Sequence, residues 1–471
     1  MSVPFRMRDA VAWTGGRLLQ GRPEAEVAGV SIDTRTLEPG QLFVAIAGPN
    51  HDGHAFLERA LRAGAGGLVV EAGRELPGEL DPQLPTLVVG ETTGALGSLA
   101  AGHRGGFDGP VVAITGSSGK TTTKEMCAAI LSVGASTLKN RGNLNNQFGL
   151  PLTLLGREPH QRRVVVELGT NHRGEIAELA RIAQPGVGVV TNVGTAHIEY
   201  LGSRDGIAQE KGDLLAALPA QGTAVLNAED AYAEVLAART TARVLSFGRG
   251  PGADVRAEGT PQSSGRALAF ELRAPQGSAA IVVAGLGDTT VENALAAAAA
   301  ALAAGASLDE VAEGLALYRP LAGRLEQREL PGDLTLIDDS YNANPQSMEM
   351  ALRLLARCGE GGRRVAVLGD MGELGSDSEG AHLEAGRLAA TLGIEFLVAV
   401  GEQAERVAAG AAEAGMSPSQ IRVVRTSEEA GAPVKELVEG GDWILLKGSR
   451  AMKMERITEY LAEYLEAEAR P

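Results

Sequence analysis

The sequence predicts an α/β protein of three domains, and three observations carry that prediction. The chain has 471 residues, too many for one ordinary hydrophobic core, and the usual domain size divides it into about three. Short apolar, β-rich runs alternate with helical patterns over most of the length, the rhythm of a mostly parallel sheet covered by helices. In the last third, polar signatures fall at the carboxyl ends of the expected strands, where open α/β sheets bind their ligands.

The first region, about residues 1–88, reads as a small α/β module. Strands are expected at 30–33, 42–46 and 67–70, with a helix over 54–63 before the last of them. Its densest polar stretch, PNHDGH at 49–54, reads from composition as a solvated turn. The central region, about 89–318, alternates strands at 111–115, 163–168 and 187–192 with helices at 119–132, 175–183 and 206–218. Gly, Ser and Pro break the rhythm over 253–284, which suggests a short antiparallel hairpin insertion; helices at 291–304 and 308–317 close the region. The third region, about 319–471, places strands at 334–338, 364–368, 396–400, 422–425 and 443–446, each followed by an amphipathic helix. That is the pattern of an open, doubly wound, Rossmann-like sheet. Its strand ends carry DDS at 338–340, GDM at 369–371 and KGSR at 447–450, a placement that fold stability alone does not account for.

Composition narrows the function. The formal net charge is −16, which argues against sequence-independent nucleic-acid binding, since that needs a Lys/Arg surplus to displace counterions. A local cluster of N–H groups and one or two lysines still suffices for a small polyanion. Two distant cysteines, Cys127 and Cys358, have no metal-like spacing and no disulfide framework, which fits a reducing compartment. The start, MSVPFRMRD, lacks the apolar stretch of a signal peptide. No run reaches the roughly 20 apolar residues of a membrane span; residues 294–304 are apolar but short and Ala-rich, and read as a buried helix. A soluble, cytoplasmic protein is expected.

The chemistry starts at TGSSGKTT, residues 115–122. VVAIT at 111–115 is a buried strand, Lys120 opens a helix, and Gly116, Ser117, Ser118 and Gly119 lie between, flanked by Thr115 and Thr122. Such a turn aims consecutive N–H groups at phosphate oxygens; the helix N-terminus adds partial positive charge, Lys120 reaches the phosphates and Thr121 is placed for Mg²⁺. Ile114 stands where the strict motif has its first glycine, so the strand-to-helix context rather than the string argues for nucleotide binding. VVVELG ends a strand on Glu167, and VVTNVGTAH ends one on His197. Either residue alone is commonly structural; two strand ends beside a phosphate loop favour an Mg²⁺ site. Lys211, in QEKG at 209–212, is a helix lysine to which composition gives no role.

Together these strings resemble the Mur ligases, whose relatives, the folylpolyglutamate synthetases, share the central ATPase domain. DDSYNANP at 338–345, LGDMGELG at 368–375 and LKGSRAMKM at 446–454, with VSIDTR at 30–35 and GQLFVA at 40–45, are similar to the branch of that family that uses D-alanyl-D-alanine. The long N-terminal module argues against a pterin-using ligase, and the Glu, His and Lys constellation against a nucleotide-driven switch. The resemblance covers essentially the whole chain. It implies an N-terminal UDP-substrate domain, a central P-loop ATPase domain and a C-terminal ligase domain. It also implies ATP-driven joining of D-alanyl-D-alanine to UDP-N-acetylmuramoyl-tripeptide in peptidoglycan synthesis, by a monomer with no nucleic-acid or membrane partner.

By motif position the resemblance makes Lys120, Glu167, His197 and Lys211 catalytic, with Thr121, Glu167, His197 and a carbamylated Lys211 at Mg²⁺. It puts Asn293 at the adenine, Arg324 at phosphate and Asp339 near the ribose. Ser31, Thr34 and Arg35, with Asn50, Asp52, Gly53 and His54, fall on the UDP side, so the loop read as solvated gains weight. Asn145, Asn146, Tyr341, Asn342 and Asn344 complete the implied substrate contacts. One departure stands out: family members commonly carry His-Asn shortly before the adenine Asn, and this chain has Thr289 and Thr290 there.

Overall fold

The computed structural model describes residues 2–48, 51–78, 80–264, 266–358 and 361–468. Among them the strands gather into a two-stranded ribbon and sheets of five, nine and six strands. The five-stranded sheet runs Arg17–Gln20, Thr86–Val89, Gly67–Glu71, Leu42–Val44, Val30–Ser31, antiparallel at the first pairing and parallel thereafter. The helix expected over 54–63 divides into a 3₁₀ turn, Gly53–Phe56, and an α-helix, Leu57–Arg62. The cause is local: the Asp52 carboxylate accepts from His54 N–H and caps the tight turn. Gly53 is required there, because a Cβ would stand 2.7 Å from Ile46 N.

The nine-stranded sheet carries Thr137–Lys139, Arg163–Glu167, Val111–Thr115, Val187–Val190, Thr223–Asn227 and Arg243–Gly248 in parallel. Residues 253–284 form the expected antiparallel hairpins, but as an extension of the central sheet and not as a short insertion in it. Val255–Ser264 pairs parallel with Arg243–Gly248, and the meander through Ala267–Ala274 and Gly277–Ala284 extends the same sheet. The helix Gly287–Ala303 lies over it with Ala294–Ala301 almost completely buried. Side-chain alternation sends neighbouring strand residues to opposite faces. Val112 and Ile114 therefore pack with Met126, Leu295 and Phe270, while Val111 and Ala113 pack with Leu42, Val69 and Leu87 of the N-terminal sheet. The first two sheets thus share a core.

The six-stranded sheet runs Glu326–Leu330, Leu334–Asp339, Trp443–Lys447, Arg364–Gly369, Phe396–Val400, Ile421–Val424, with only the first pairing antiparallel. The edge strand Glu326–Leu330 carries no strand signal in its sequence, because EQREL is polar and mostly solvent-facing. The other strands alternate between two cores, Val365 and Val367 on one side, Ala366 and Leu368 on the other. One strand-end signature proves structural: Asp370 accepts from Glu402 and Gln403 N–H at 2.8 and 3.0 Å. Both cysteines are unpaired. Among the described residues no helix is long and apolar enough to cross a membrane.

Candidate active site

The turn between Val111–Thr115 and the helix Lys120–Gly134 is built for glycine at two points. Gly116 has φ 150°, and a Cβ there would lie 1.8 Å from Thr191 Oγ1; Gly119 has φ 80°, and its Cβ would lie 2.3 Å from Asn293 Oδ1. The end of the next strand braces the turn from behind. Thr191 Oγ1 donates to Ser118 O (2.6 Å), Asn192 Oδ1 accepts from Ser118 N (3.0 Å), and Gly194 N donates to Ser117 Oγ (2.8 Å). No side chain caps the helix that follows, so its first N–H groups keep their capacity for an anion. Lys120 folds back, donating to Gly116 O at 2.7 Å. Burial holds its pKa below the usual lysine value, with Glu167 pulling the other way. A half-buried cation resting on a carbonyl at the cleft wall is poised to exchange it for phosphate oxygens. Gly119→Ala should therefore weaken ATP-analogue binding by about ten-fold or more, from strain at positive φ and displacement of Asn293, as titration calorimetry would measure.

Glu167, at the end of Arg163–Glu167, is held rigidly. Its Oε2 accepts from Thr121 Oγ1 at 2.7 Å and its Oε1 from Asn145 Nδ2 at 2.8 Å. Asn140 brackets its peptide, accepting from Glu167 N (3.0 Å) and donating to Glu167 O (3.2 Å). His197 has φ 63° and pairs through Nδ1 with Glu373 Oε2 at 2.5 Å. Lys211, on the helix Arg204–Ala216, is 1% exposed, and among the described residues no hydrogen bond or ion pair reaches it. Burial first, then the charge of Lys120, pushes its pKa well down. The neighbouring Glu210 does not neutralise it by contact, since its oxygens accept from Gly174 N, Ile176 N and Thr170 Oγ1.

Among the described residues no three His, Cys, Asp or Glu side chains cluster closely enough to hold a metal. Thr121, Glu167 and His197 offer two oxygens and a nitrogen, short of the six mainly oxygen ligands of Mg²⁺. Phosphate and water oxygens complete such a set, and a carbamate on Lys211 would add another, so the residues fit a metal held jointly with a nucleotide.

The central and C-terminal sheets enclose a cleft of about 730 Å³. Ser117, Ser118, Gly119, Lys120, Thr121, Thr122, Asn145, Asn146, Glu167, His197 and Asn293 line it from one side. Arg324, Asp339, Tyr341, Asn342 and Asn344 line it from the other. Asn293 Oδ1 accepts from Thr123 Oγ1 at 3.2 Å, tying its helix to the one after the phosphate loop. Thr289 and Thr290 also line the cleft; Thr290 Oγ1 turns back to Leu286 O. Opposite, Lys447 Nζ pairs with Asp339 Oδ2 at 2.5 Å and donates to Asn342 O at 3.0 Å. The Arg324 guanidinium lies 4.0 Å over the Tyr341 ring. Asn146 and Asn344 spend their side-chain oxygens on helix starts, accepting from Gly149 N and Ser347 N. Thr115 and Gly116 are not among the wall residues.

The N-terminal candidates lie outside this cleft, and Asn50 lies outside the described residues. Asp33 grips Arg35 with both oxygens, which holds its carboxyl down at about 2. Ser31 Oγ donates to Asp33 O at 3.1 Å, and Thr34 follows in the same turn. His54 is used on both ring nitrogens: Nε2 accepts from Glu71 N (3.0 Å), so the proton sits on Nδ1 and goes to Asp52 (2.7 Å). His54 and Asp52 therefore shape this loop. Sequence reasoning marks Lys447 only as part of a strand-end signature, without a role, and gives none to Glu373, Asn192 and Asn140; the structure puts Lys447 on Asp339. Glu373, Lys447 and Asn192 stand inside the strings LGDMGELG, LKGSR and TNVGTAH, and that position was the available signal.

Sequence comparison accounts for nearly all of this architecture. Three family descriptions match along the chain: Mur ligase family, catalytic domain, at 26–104; Mur ligase middle domain at 114–301; and Mur ligase, glutamate ligase domain, at 323–450. The UDP-N-acetylmuramoyl-tripeptide--D-alanyl-D-alanine ligase of Escherichia coli K12 is 38% identical over 438 residues, covering 92% of this chain and 93% of that protein. A MurF crystal structure from Acinetobacter baumannii superposes with a TM-score of 0.88 at 35% identity, covering 98% and 99% of the two chains. MurF ligase from Thermotoga maritima in complex with ADP gives 0.82 at 29% identity, covering 94% and 98%. This chain belongs to the Mur ligase family.

Proposed function

We propose that the chain is the ATP-dependent ligase that joins D-alanyl-D-alanine to the C-terminal carboxylate of UDP-N-acetylmuramoyl-tripeptide, giving the pentapeptide precursor of peptidoglycan, ADP and phosphate. The observation that carries this reading is the single cleft in which the phosphate loop and Glu167 face Arg324, Asp339 and Tyr341. A reaction with three substrates needs two walls that can part and close.

The chemistry follows from what each group can do. A carboxylate is a poor electrophile, so its oxygen first attacks the γ-phosphorus of ATP and ADP leaves, giving an acyl phosphate. The free amine of D-alanyl-D-alanine then attacks the acyl carbon, the C–O bond to phosphate breaks, and the amine proton is lost to solvent or base. Lys120 and the free N–H groups at the start of Lys120–Gly134 hold the phosphates and stabilise the charge that develops on them. Thr121, Glu167, His197 and Lys211 would hold Mg²⁺, which supplies positive charge between the two polyanions. Lys211 is suited to carbamylation: burial and the charge of Lys120 lower its pKa and so favour the neutral amine, which adds to CO₂ and releases a proton, and the resulting carbamate is anionic. Asn293 would meet the adenine, Asp339 the ribose and Arg324 phosphate.

On the substrate side, Ser31, Thr34 and Arg35, with the 50–54 loop, would receive the UDP end. Asn145, Asn146, Tyr341, Asn342 and Asn344 would meet the peptide ends. The functional units run over about 1–88, 89–318 and 319–471, in a cytoplasmic monomer.

Purified protein given ATP, Mg²⁺, the UDP-linked tripeptide and D-alanyl-D-alanine should release phosphate only when both acceptor and amine are present. Release independent of either substrate, or ligation of glutamate to a pterin instead, overturns the assignment.

A further inference from the structure

His197 and Glu373 lie 176 residues apart, on the nine-stranded and six-stranded sides of the cleft. Their contact at 2.5 Å is short for any hydrogen bond of this kind. Both residues have left-handed backbones, φ 63° and 60°, a conformation that non-glycine residues hold only where the surroundings over-determine it. The surroundings do so here. Glu199 N donates to Glu373 O at 3.4 Å, and a Cβ on Gly375 would touch Glu199 Cγ at 3.3 Å. The 372–375 turn is thus seated directly on the turn that begins at His197. The carboxylate takes Nδ1, and among the described residues Nε2 has no partner. His197 lines the cleft, so Nε2 is the nitrogen left for a metal.

We infer that Glu373 is a positioning residue: it fixes the His197 ring and tautomer from the opposite domain, so that closure of the cleft presents the metal's imidazole ligand. The inference rests on His197 being a metal ligand. An imidazole that donates its second N–H to a carboxylate is held in the metal-binding tautomer and is the more basic ligand. Here that carboxylate arrives only when the C-terminal domain is docked. By linkage the coupling is reciprocal: metal and nucleotide binding should draw the domains together, and docking should tighten the metal.

The test uses full-length protein, a non-hydrolysable ATP analogue and Mn²⁺ as a paramagnetic probe, with variants Glu373→Ala, Glu373→Gln and His197→Ala. Glu373→Ala should weaken Mn²⁺ binding about ten-fold or more. It should also diminish the imidazole nitrogen coupling in the pulsed magnetic-resonance spectrum. Glu373→Gln should recover most of both, because its side-chain oxygen still accepts from Nδ1–H. X-ray scattering should show less Mn²⁺-dependent compaction in Glu373→Ala. Wild-type Mn²⁺ affinity in Glu373→Ala, with affinity lost in His197→Ala, overturns the role of Glu373 alone. Unchanged affinity in His197→Ala removes the metal reading beneath it. Equal weakening by the Ala and Gln variants makes charge rather than ring orientation the cause, and also overturns the inference.

Discussion

Lys120→Ala should lower ligation by about 10³-fold or more while leaving the fold intact. Phosphoryl transfer offers the protein little covalent work, so positioning and charge stabilisation supply the rate. The Lys120 ammonium rests on Gly116 O, inside a turn whose glycines admit no side chain. Removing it takes away positive charge aimed at the transferring phosphoryl group. Folding has no comparable dependence on it, because burial already works against its charged form. The thermal midpoint should accordingly stay near wild type. Lys120→Arg should also be poor, since a planar fork cannot replace a compact ammonium between the loop and its phosphates. Coupled phosphate-release kinetics and a melting curve on the same preparations decide the matter. Near-wild-type turnover in the Ala variant would show that the loop does not act on ATP.

The parts of this enzyme that could be read from sequence are those whose side chains obey a local period. Val111–Thr115, Phe396–Val400 and Leu308–Leu317 stand where apolar patterning put them. Phosphate-loop residues 117–122 and Glu167 line the cleft, because the loop joins a strand end to a helix start and Glu167 closes its own strand. His197 lines it too, but from the loop beyond Val187–Val190 rather than from the strand end expected there. The parts that could not be read depend on distant partners. Glu326–Leu330 is a polar edge strand that exists because Leu334–Asp339 pairs with it. Residues 253–284 looked like an insertion because turn residues punctuate them, yet register with Arg243–Gly248 makes them sheet. Glu373 was visible only as a letter within a motif, since its significance comes from a residue on another sheet. His54 reads from composition as part of a solvated turn and takes a UDP-side place only by resemblance; its two ring nitrogens are tied to Asp52 and to Glu71 N, a role no local pattern announces.

Lys211 was the least legible of all, and its replacement is expected to separate stability from function. Its helix, Arg204–Ala216, buries Glu210, Lys211 and Gly212 in succession, so no amphipathic stripe marked the lysine as unusual. The folded protein holds its pKa well below the ordinary 10.5. Between those two values the unfolded chain binds more protons than the folded one, so stability rises with pH across that window and is lowest below it. An apolar replacement of similar length removes this penalty. Lys211→Met should therefore melt at or above the wild-type temperature in CO₂-free buffer, with each kcal/mol gained adding about 2–4 °C, while ligation falls by about 10²-fold or more with loss of the proposed carbamate ligand. In wild type, lowering the pH through the depressed pKa protonates the amine and blocks carbamate formation, so added bicarbonate should restore activity most on the acid side. Lys211→Ala leaves space for a small anion, and acetate or formate should return part of its activity. Full activity in the Met variant, or a loss of activity explained by a fall of several degrees in its melting temperature, would dispose of the carbamate role. High stability with no turnover, recovered by a free carboxylate, would leave an anionic oxygen at this position as the function that the buried lysine serves.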